Sequence, residues 1–130
     1  MHRLFILLII CSLLFAACDK TEELHDLNNP GIELIYPFDI PEIDHGLPLC
    51  VKVVVTDDQS LRTVGWDIID PGTSFVRMHK ELGITSGRSQ VIDESIRLSE
   101  HLKGNYIFRL TAVDGSGNTS KLTIPFTLLD

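Results

Sequence analysis

The sequence predicts an all-β domain, a β-sandwich of about seven strands that follows an export signal and a tether. Apolar residues alternate with polar ones over several short segments between Ile32 and Leu128, as in strands that bury one face. Turn-forming residues separate these segments, and none of them carries a long helical pattern. The chain has 130 residues, which is enough for one domain of this kind.

The strands are predicted from period-two alternation, and they follow one another at short intervals. Residues 71–90 are the least regular part, where 75–78 predicts a short edge strand and 78–82 allows one helical turn. Pro125 faces outward in the last strand, which suits an edge because proline has no N–H to donate. The clearest strands, in chain order, are 32–36, 49–55, 64–68, 92–98, 106–113 and 122–128.

Three features favour an immunoglobulin-like sandwich. Trp66 shares the inward face of the third clear strand with Val64 and Ile68, where such folds keep a central aromatic residue. Tyr106 opens the next-to-last strand and predicts a tyrosine corner, in which its hydroxyl bonds to the backbone of the preceding turn. Residues 114–118 read Asp-Gly-Ser-Gly-Asn and predict a tight hairpin.

The N-terminus has the anatomy of an export signal, with Arg3 followed by an apolar run over 4–17. This run is shorter than the roughly 20 residues that a membrane-spanning helix needs. Ala16-Ala17-Cys18 resembles the lipobox of bacterial lipoproteins, although Phe15 stands where that motif prefers leucine. The resemblance implies cleavage before Cys18, a diacylglycerol on its thiol and acylation of the new amine. A soluble secreted protein is the alternative.

The chain is thus divided into a signal peptide (1–17), a lipidated cysteine with a flexible acidic tether (18–31) and a sandwich domain (32–130). The acidic residues after Cys18 resemble the surface-export signal of Bacteroidetes-type lipoproteins, which implies an outer-membrane location at the cell surface. In enterobacteria Asp19 would instead favour the inner membrane. With Cys11 in the signal and Cys18 lipidated, Cys50 has no partner for an intramolecular disulfide.

The net charge of −7 is expected to repel nucleic acid and anionic membrane surfaces, so the lipid must supply the membrane attachment. The segment Gly104-Asn105-Tyr106-Ile107-Phe108, with Asp114 and Gly117-Asn118, looks like the ending of bacterial Ig-like domains. Together with residues 56–61 (Thr-Asp-Asp-Gln-Ser-Leu), it resembles a family of Bacteroidetes Ig-like lipoproteins of unassigned function. The resemblance covers roughly residues 30–130 and implies a fold but no activity. Members of that family often carry a histidine-rich middle connection. In this chain the corresponding region contains only one histidine, His79.

A calcium site is predicted at one end of the sandwich. In an Ig-like strand order the 57–60 loop and the last hairpin lie at the same end. This brings Asp57 and Asp58 near Asp114 and Asn118, with Asn28 and Asn29 of the tether close by. Converging carboxylate and amide oxygens suit Ca²⁺. The alternative is that these side chains only satisfy backbone amides of their own turns.

Other candidate sites are weaker. Three histidines and two acids could gather at the opposite end and bind zinc, but their spacing is scattered and surface solvation is the alternative (His45, His79, His101, Asp44, Glu100). Cys50 lacks an activating base in any recognisable motif. Trp66 is expected in the core rather than as a sugar platform. Asp93 and Glu94 face opposite sides of a strand and cannot flank one glycosidic bond.

These observations predict a non-enzymatic, lipid-anchored module of the cell envelope. The favoured function is binding or assembly of a protein or glycan partner, with no nucleic acid involved and no cofactor other than calcium. The first alternative is a calcium-binding structural or sensing domain, and the second is a glycan-processing accessory.

Overall fold

The computed structural model describes residues 25–39, 41–84 and 86–130. In these ranges the chain forms eight strands and no helix, and so no helix that could cross a membrane. The predicted signal peptide and Cys18 lie outside the described residues. The strands are β1 (Gly31–Tyr36), β2 (Glu42–Ile43), β3 (Leu49–Thr56), β4 (Leu61–Ile69), β5 (Val76–Gly83), β6 (Ser89–Ile96), β7 (Gly104–Asp114) and β8 (Thr119–Leu128).

The strands form two sheets packed as a sandwich, which confirms the predicted fold class. The smaller sheet has the order β1-β3-β6, and the larger has the order β2-β8-β7-β4-β5. All pairs are antiparallel except β2 with β8, which is parallel. The chain crosses between the sheets at the β1–β2, β2–β3, β3–β4, β5–β6 and β6–β7 connections. We call the end of the sandwich where β1 begins the proximal end, and the end where β1 stops the distal end.

The core is made by the inward faces of both sheets. Val51, Val53 and Val55 of β3 are fully buried, as their alternation predicts. Trp66 is 6% exposed, and its ring packs against that of Phe108 with centroids 5.9 Å apart. The predicted core position of Trp66 is confirmed. With no disulfide among the described residues, this apolar burial carries the stability of the domain.

The irregular segment after β4 is a long edge strand rather than a short one. β5 replaces both the predicted strand over 75–78 and the alternative helical turn over 78–82. Seven of its eight residues are exposed, so it lacks the alternation of apolar residues that reveals a half-buried strand. Lys80 lies in register with Trp66 and bonds to Glu94 on β6, the edge strand of the other sheet. A charge facing inward on an edge strand disfavours edge-to-edge pairing with other chains.

The predicted tyrosine corner is not formed. Tyr106 is buried and its ring packs against Phe126, with centroids 5.9 Å apart. Its hydroxyl makes no hydrogen bond with any described residue, and in the preceding turn the Leu102 N–H donates to the Ser99 carbonyl. Tyr106 is therefore structural as a core side chain and not as a backbone latch.

Candidate functional site

Three aspartates from distant parts of the chain converge at the proximal end. Asp26 precedes β1, Asp57 follows β3 and Asp114 ends β7. Each offers a carboxylate oxygen, and these three oxygens lie within 4.8 Å of one another. Among the described residues, no other group of three histidine, cysteine or acidic side chains is this compact. We call these three residues the aspartate cluster.

Asp114 is built into the β7–β8 hairpin. Its Oδ1 accepts hydrogen bonds from the backbone N–H groups of Ser116 and Asn118, and its Oδ2 accepts one from the Asn118 side chain. Burial alone would raise the pKa of Asp114, but the bonds from Asn118 and Ser116 outweigh it and hold the pKa below its ordinary value. Asp114 is thus a fully buried carboxylate that stays charged at neutral pH.

Glycines allow the hairpin to adopt this shape. Gly117 has a φ of +92°, a conformation that side-chain-bearing residues rarely adopt. Gly115 donates its N–H to the Ser60 carbonyl, and a Cβ at this position would collide with the Ser60 hydroxyl. The close approach of Gly115 holds the hairpin against the 57–60 loop, and so it brings Asp114 to Asp57.

Asp57 is fixed by its own turn. Its Oδ1 accepts hydrogen bonds from the N–H groups of Gln59 and Ser60, at 2.9 and 2.8 Å. Its backbone N–H donates to the Arg88 carbonyl, which attaches the loop to the β5–β6 connection. The turn occupies only one carboxylate oxygen. Oδ2 of Asp57 is shielded from solvent and has no hydrogen-bond partner among the described residues.

Asp26 comes from the segment that the sequence assigns to the flexible tether. Its side chain is 5% exposed, and its Oδ1 accepts a hydrogen bond from the Asn28 N–H. The Asn118 side chain donates to the Asp26 carbonyl at 2.8 Å, which attaches the segment to the hairpin. Oδ2 of Asp26 is buried without a partner. Residues 26–31 therefore contact the sandwich in a region where the sequence predicts a free tether.

The oxygens of the aspartate cluster are close enough together to share one Ca²⁺ ion. Two oxygens bound to one Ca²⁺ at about 2.4 Å can be at most about 4.8 Å apart, which the cluster satisfies. Buried carboxylate oxygens without partners are costly, and neighbouring negative charges repel one another. A divalent cation removes both penalties. Zinc prefers nitrogen and sulfur ligands, and Mg²⁺ demands a stricter octahedron, so an all-oxygen cluster on three loops fits Ca²⁺ best.

The structure brings together part of the predicted calcium set. Asp57 and Asp114 belong to the cluster. Asp58 is exposed and accepts a hydrogen bond from the Asn28 side chain, while Asn118 orients Asp114 and binds the Asp26 backbone. The predicted turn-capping roles of Asp57 and Asp114 are also present, and they leave the partnerless oxygens of Asp26 and Asp57 available.

Asp26 was missed by the sequence reasoning because it lies 88 residues before Asp114 in the chain. The available local signal is the Asp-Leu-Asn spacing of residues 26–28, which favours a turn in which the aspartate caps its own backbone. Asn29 makes no side-chain hydrogen bond with any described residue.

The histidines do not form the predicted zinc set. His79 lies on the outer face of the larger sheet, where its Nδ1 is 2.6 Å from Asp67 Oδ1. Arg109 donates to Asp67 Oδ2. Burial alone would raise the pKa of Asp67, but the hydrogen bonds with Arg109 and His79 outweigh it and hold the pKa below its ordinary value. At the distal end, Asp44, His45 and Glu100 line a shallow pocket without converging on one point.

Cys50 faces the solvent on the outer face of β3, opposite the buried valines, as predicted. Its nearest polar contacts are the Pro48 carbonyl and the Ser95 hydroxyl, at 4.0 and 3.9 Å. No histidine contacts it among the described residues.

No protein-family model matches the chain, and no curated protein matches it. Among solved structures, the chain is similar to the crystal structure of CopC from Methylosinus trichosporium OB3b. The TM-score is 0.44 and the sequence identity is 14%, over 75% of this chain and 93% of that chain.

Proposed function

We propose that this chain is a non-enzymatic, lipid-anchored module of the bacterial cell envelope whose β-sandwich binds one calcium ion at the aspartate cluster. The observation that carries the calcium site is the pair of buried, partnerless carboxylate oxygens of Asp26 and Asp57 beside the buried carboxylate of Asp114. Backbone carbonyls and water would complete the six to eight oxygens that Ca²⁺ takes. The anchor is the lipid on Cys18, and the location is the outer membrane.

The role of the ion in this proposal is structural. It cross-links the segment before β1, the loop after β3 and the last hairpin, three parts of the chain that otherwise meet through a few hydrogen bonds. Ligand binding to the folded state alone stabilises it, by about 2.7 kcal/mol when the free ion is at about 100 times its dissociation constant. The domain would thus be most stable outside the cytoplasm, where calcium is abundant.

Calcium titration by calorimetry tests this function. The wild-type protein, stripped with chelator, is expected to bind one Ca²⁺ per chain. Asp57→Asn removes one charged ligand but keeps the turn, since the asparagine Oδ1 still accepts the Gln59 and Ser60 amides. Its dissociation constant is expected to rise by at least about tenfold, which corresponds to about 1.4 kcal/mol.

The matched control is Asp44→Asn, which removes the same charge from an exposed site at the distal end. Its calcium affinity is expected to equal that of the wild type. Equal weakening by both variants would indicate general charge attraction, and an absence of binding heat in the wild type would refute the calcium site.

A second candidate function is binding of a protein or glycan partner at the distal end. Exposed apolar side chains collect on loops and strand ends there: Phe38, Leu47, Phe75 and Leu129 are 88%, 58%, 59% and 36% exposed. The β5 edge of the larger sheet is less suited to a partner because of the inward charge of Lys80. Photo-crosslinking from position 38 in intact cells is expected to capture one specific product. The same product captured equally from position 121, an exposed lysine on β8, would contradict a distal binding surface.

A further inference from the structure

The segment of residues 26–30 is attached to the sandwich by three hydrogen bonds and by little apolar burial. Leu27 is 79% exposed, and Pro30 is the one buried apolar residue of the segment. The hydrogen bonds join the Asn28 side chain to Asp58, the Asn118 side chain to the Asp26 carbonyl, and the Ser120 hydroxyl to the Pro30 carbonyl. Each of these bonds replaces one with water, so each contributes little net stability.

The Asp26 side chain opposes this attachment when no cation is present. Its carboxylate is 95% buried beside two other carboxylates, and one of its oxygens has no partner. Leaving the sandwich would return that oxygen to water and separate the negative charges. A cation at the cluster reverses the balance, because Asp26 then becomes a ligand and release of the segment must break its bond to the ion.

We infer that calcium acts as a clamp on the N-terminal segment, so that the ion controls whether residues 26–30 are docked on the sandwich or released from it. This inference rests on the proposed calcium site. Asp57 and Asp114 belong to the folded sandwich, whereas Asp26 is the one ligand on the segment that leads towards Cys18. Release would lengthen the connection between Cys18 and the sandwich by up to about 17 Å, the extended length of five residues.

The clamp changes the length of the connection and not the end of the sandwich at which it enters. The aspartate cluster lies at the proximal end, where β1 also begins. With the clamp open, the sandwich is attached only from Gly31 onward, where β1 pairs with β3. Calcium would therefore change the reach of the domain relative to the lipid anchor.

Hydrogen exchange of the full-length chain tests the clamp. Exchange of the Asn28 backbone amide, which donates to Asp26 Oδ1, is measured by mass spectrometry in chelator and in calcium at about 100 times the dissociation constant found by calorimetry. Exchange at this amide is expected to slow by about tenfold to 100-fold in calcium, because opening then requires loss of the ion. The Leu47 amide, which donates to the Asp44 carbonyl at the distal end, serves as the internal reference and is expected to change much less, because its local opening leaves the ion bound.

Asp26→Asn is the matched variant. It retains an oxygen for the Asn28 amide but loses the charged ligand, so calcium is expected to leave exchange at the Asn28 amide unchanged. Asp44→Asn is expected to behave like the wild type. If calcium binds in the calorimeter and exchange at the Asn28 amide of the wild type stays the same, the clamp is refuted and the calcium site stands. If no calcium binds, both are refuted.

Discussion

Asp114→Ala is expected to lower the free energy of unfolding by about 3 kcal/mol, even in chelator. The substitution removes the acceptor of the Ser116 and Asn118 amides and of the Asn118 side chain in a fully buried site. Buried donors left without partners cost about 1–3 kcal/mol each, and relaxation of the hairpin towards water recovers part of this. Thermal unfolding should show a melting temperature lower by about 15 °C, and calcium should no longer raise it.

The pH dependence of the unfolding free energy distinguishes the contribution of the Asp114 charge from that of its packing. Its pKa is lower in the folded state than in the unfolded chain, so its stabilisation is complete above about pH 4 and is lost as the pH falls through the folded-state pKa. The difference in stability between wild type and Asp114→Ala should therefore narrow below about pH 4. A difference that stays constant down to about pH 2 would indicate packing loss alone. Asp114→Asn, which keeps one acceptor oxygen, should cost less than alanine.

Trp66→Ala is expected to destabilise the domain by about 3–5 kcal/mol, a large part of the stability of a small domain. The indole is 6% exposed and packs on Phe108 in the centre of the sandwich. Its Nε1 is buried without a hydrogen-bond partner among the described residues. The measurement is chemical denaturation followed by circular dichroism, since Trp66 is the only tryptophan and its fluorescence is lost in the variant.

Trp66→Phe provides the control for this prediction. Phenylalanine keeps an aromatic contact with Phe108 and removes the partnerless N–H, so it should cost about 1–2 kcal/mol, less than alanine. An alanine variant that unfolds at the same denaturant concentration as the wild type would contradict the core position. That result would favour a surface role for Trp66, such as sugar stacking.

The parts of the fold that sequence predicts well are those where burial and local pattern agree. The valines of β3 and the Val64, Trp66, Ile68 face of β4 alternate strictly because one side of each strand faces the core. β5 lacks this alternation, because an exposed edge strand needs no apolar face. β2 was missed because a strand of two residues, Glu42–Ile43, has no period to detect.

Two of the three residues in the aspartate cluster were predictable from the sequence, because they adjoin recognisable strands. Asp57 and Asp114 lie next to strand ends that an Ig-like order places at the same end of the sandwich, so topology alone brings them together. Asp26 precedes the first strand, and no local sequence pattern predicts that its segment contacts the sandwich. Its position depends on Asn118 donating to its carbonyl, a contact between residues 92 apart in sequence. Such contacts become visible only once the chain is folded.

A crystal structure of the chain grown in calcium, with anomalous diffraction recorded at long wavelength, tests the central claim most directly. We expect one anomalous peak between Asp26, Asp57 and Asp114, with carboxylate oxygens of all three at about 2.3–2.6 Å from it. Carboxylates turned away from one another, with no peak between them in saturating calcium, would contradict the calcium site.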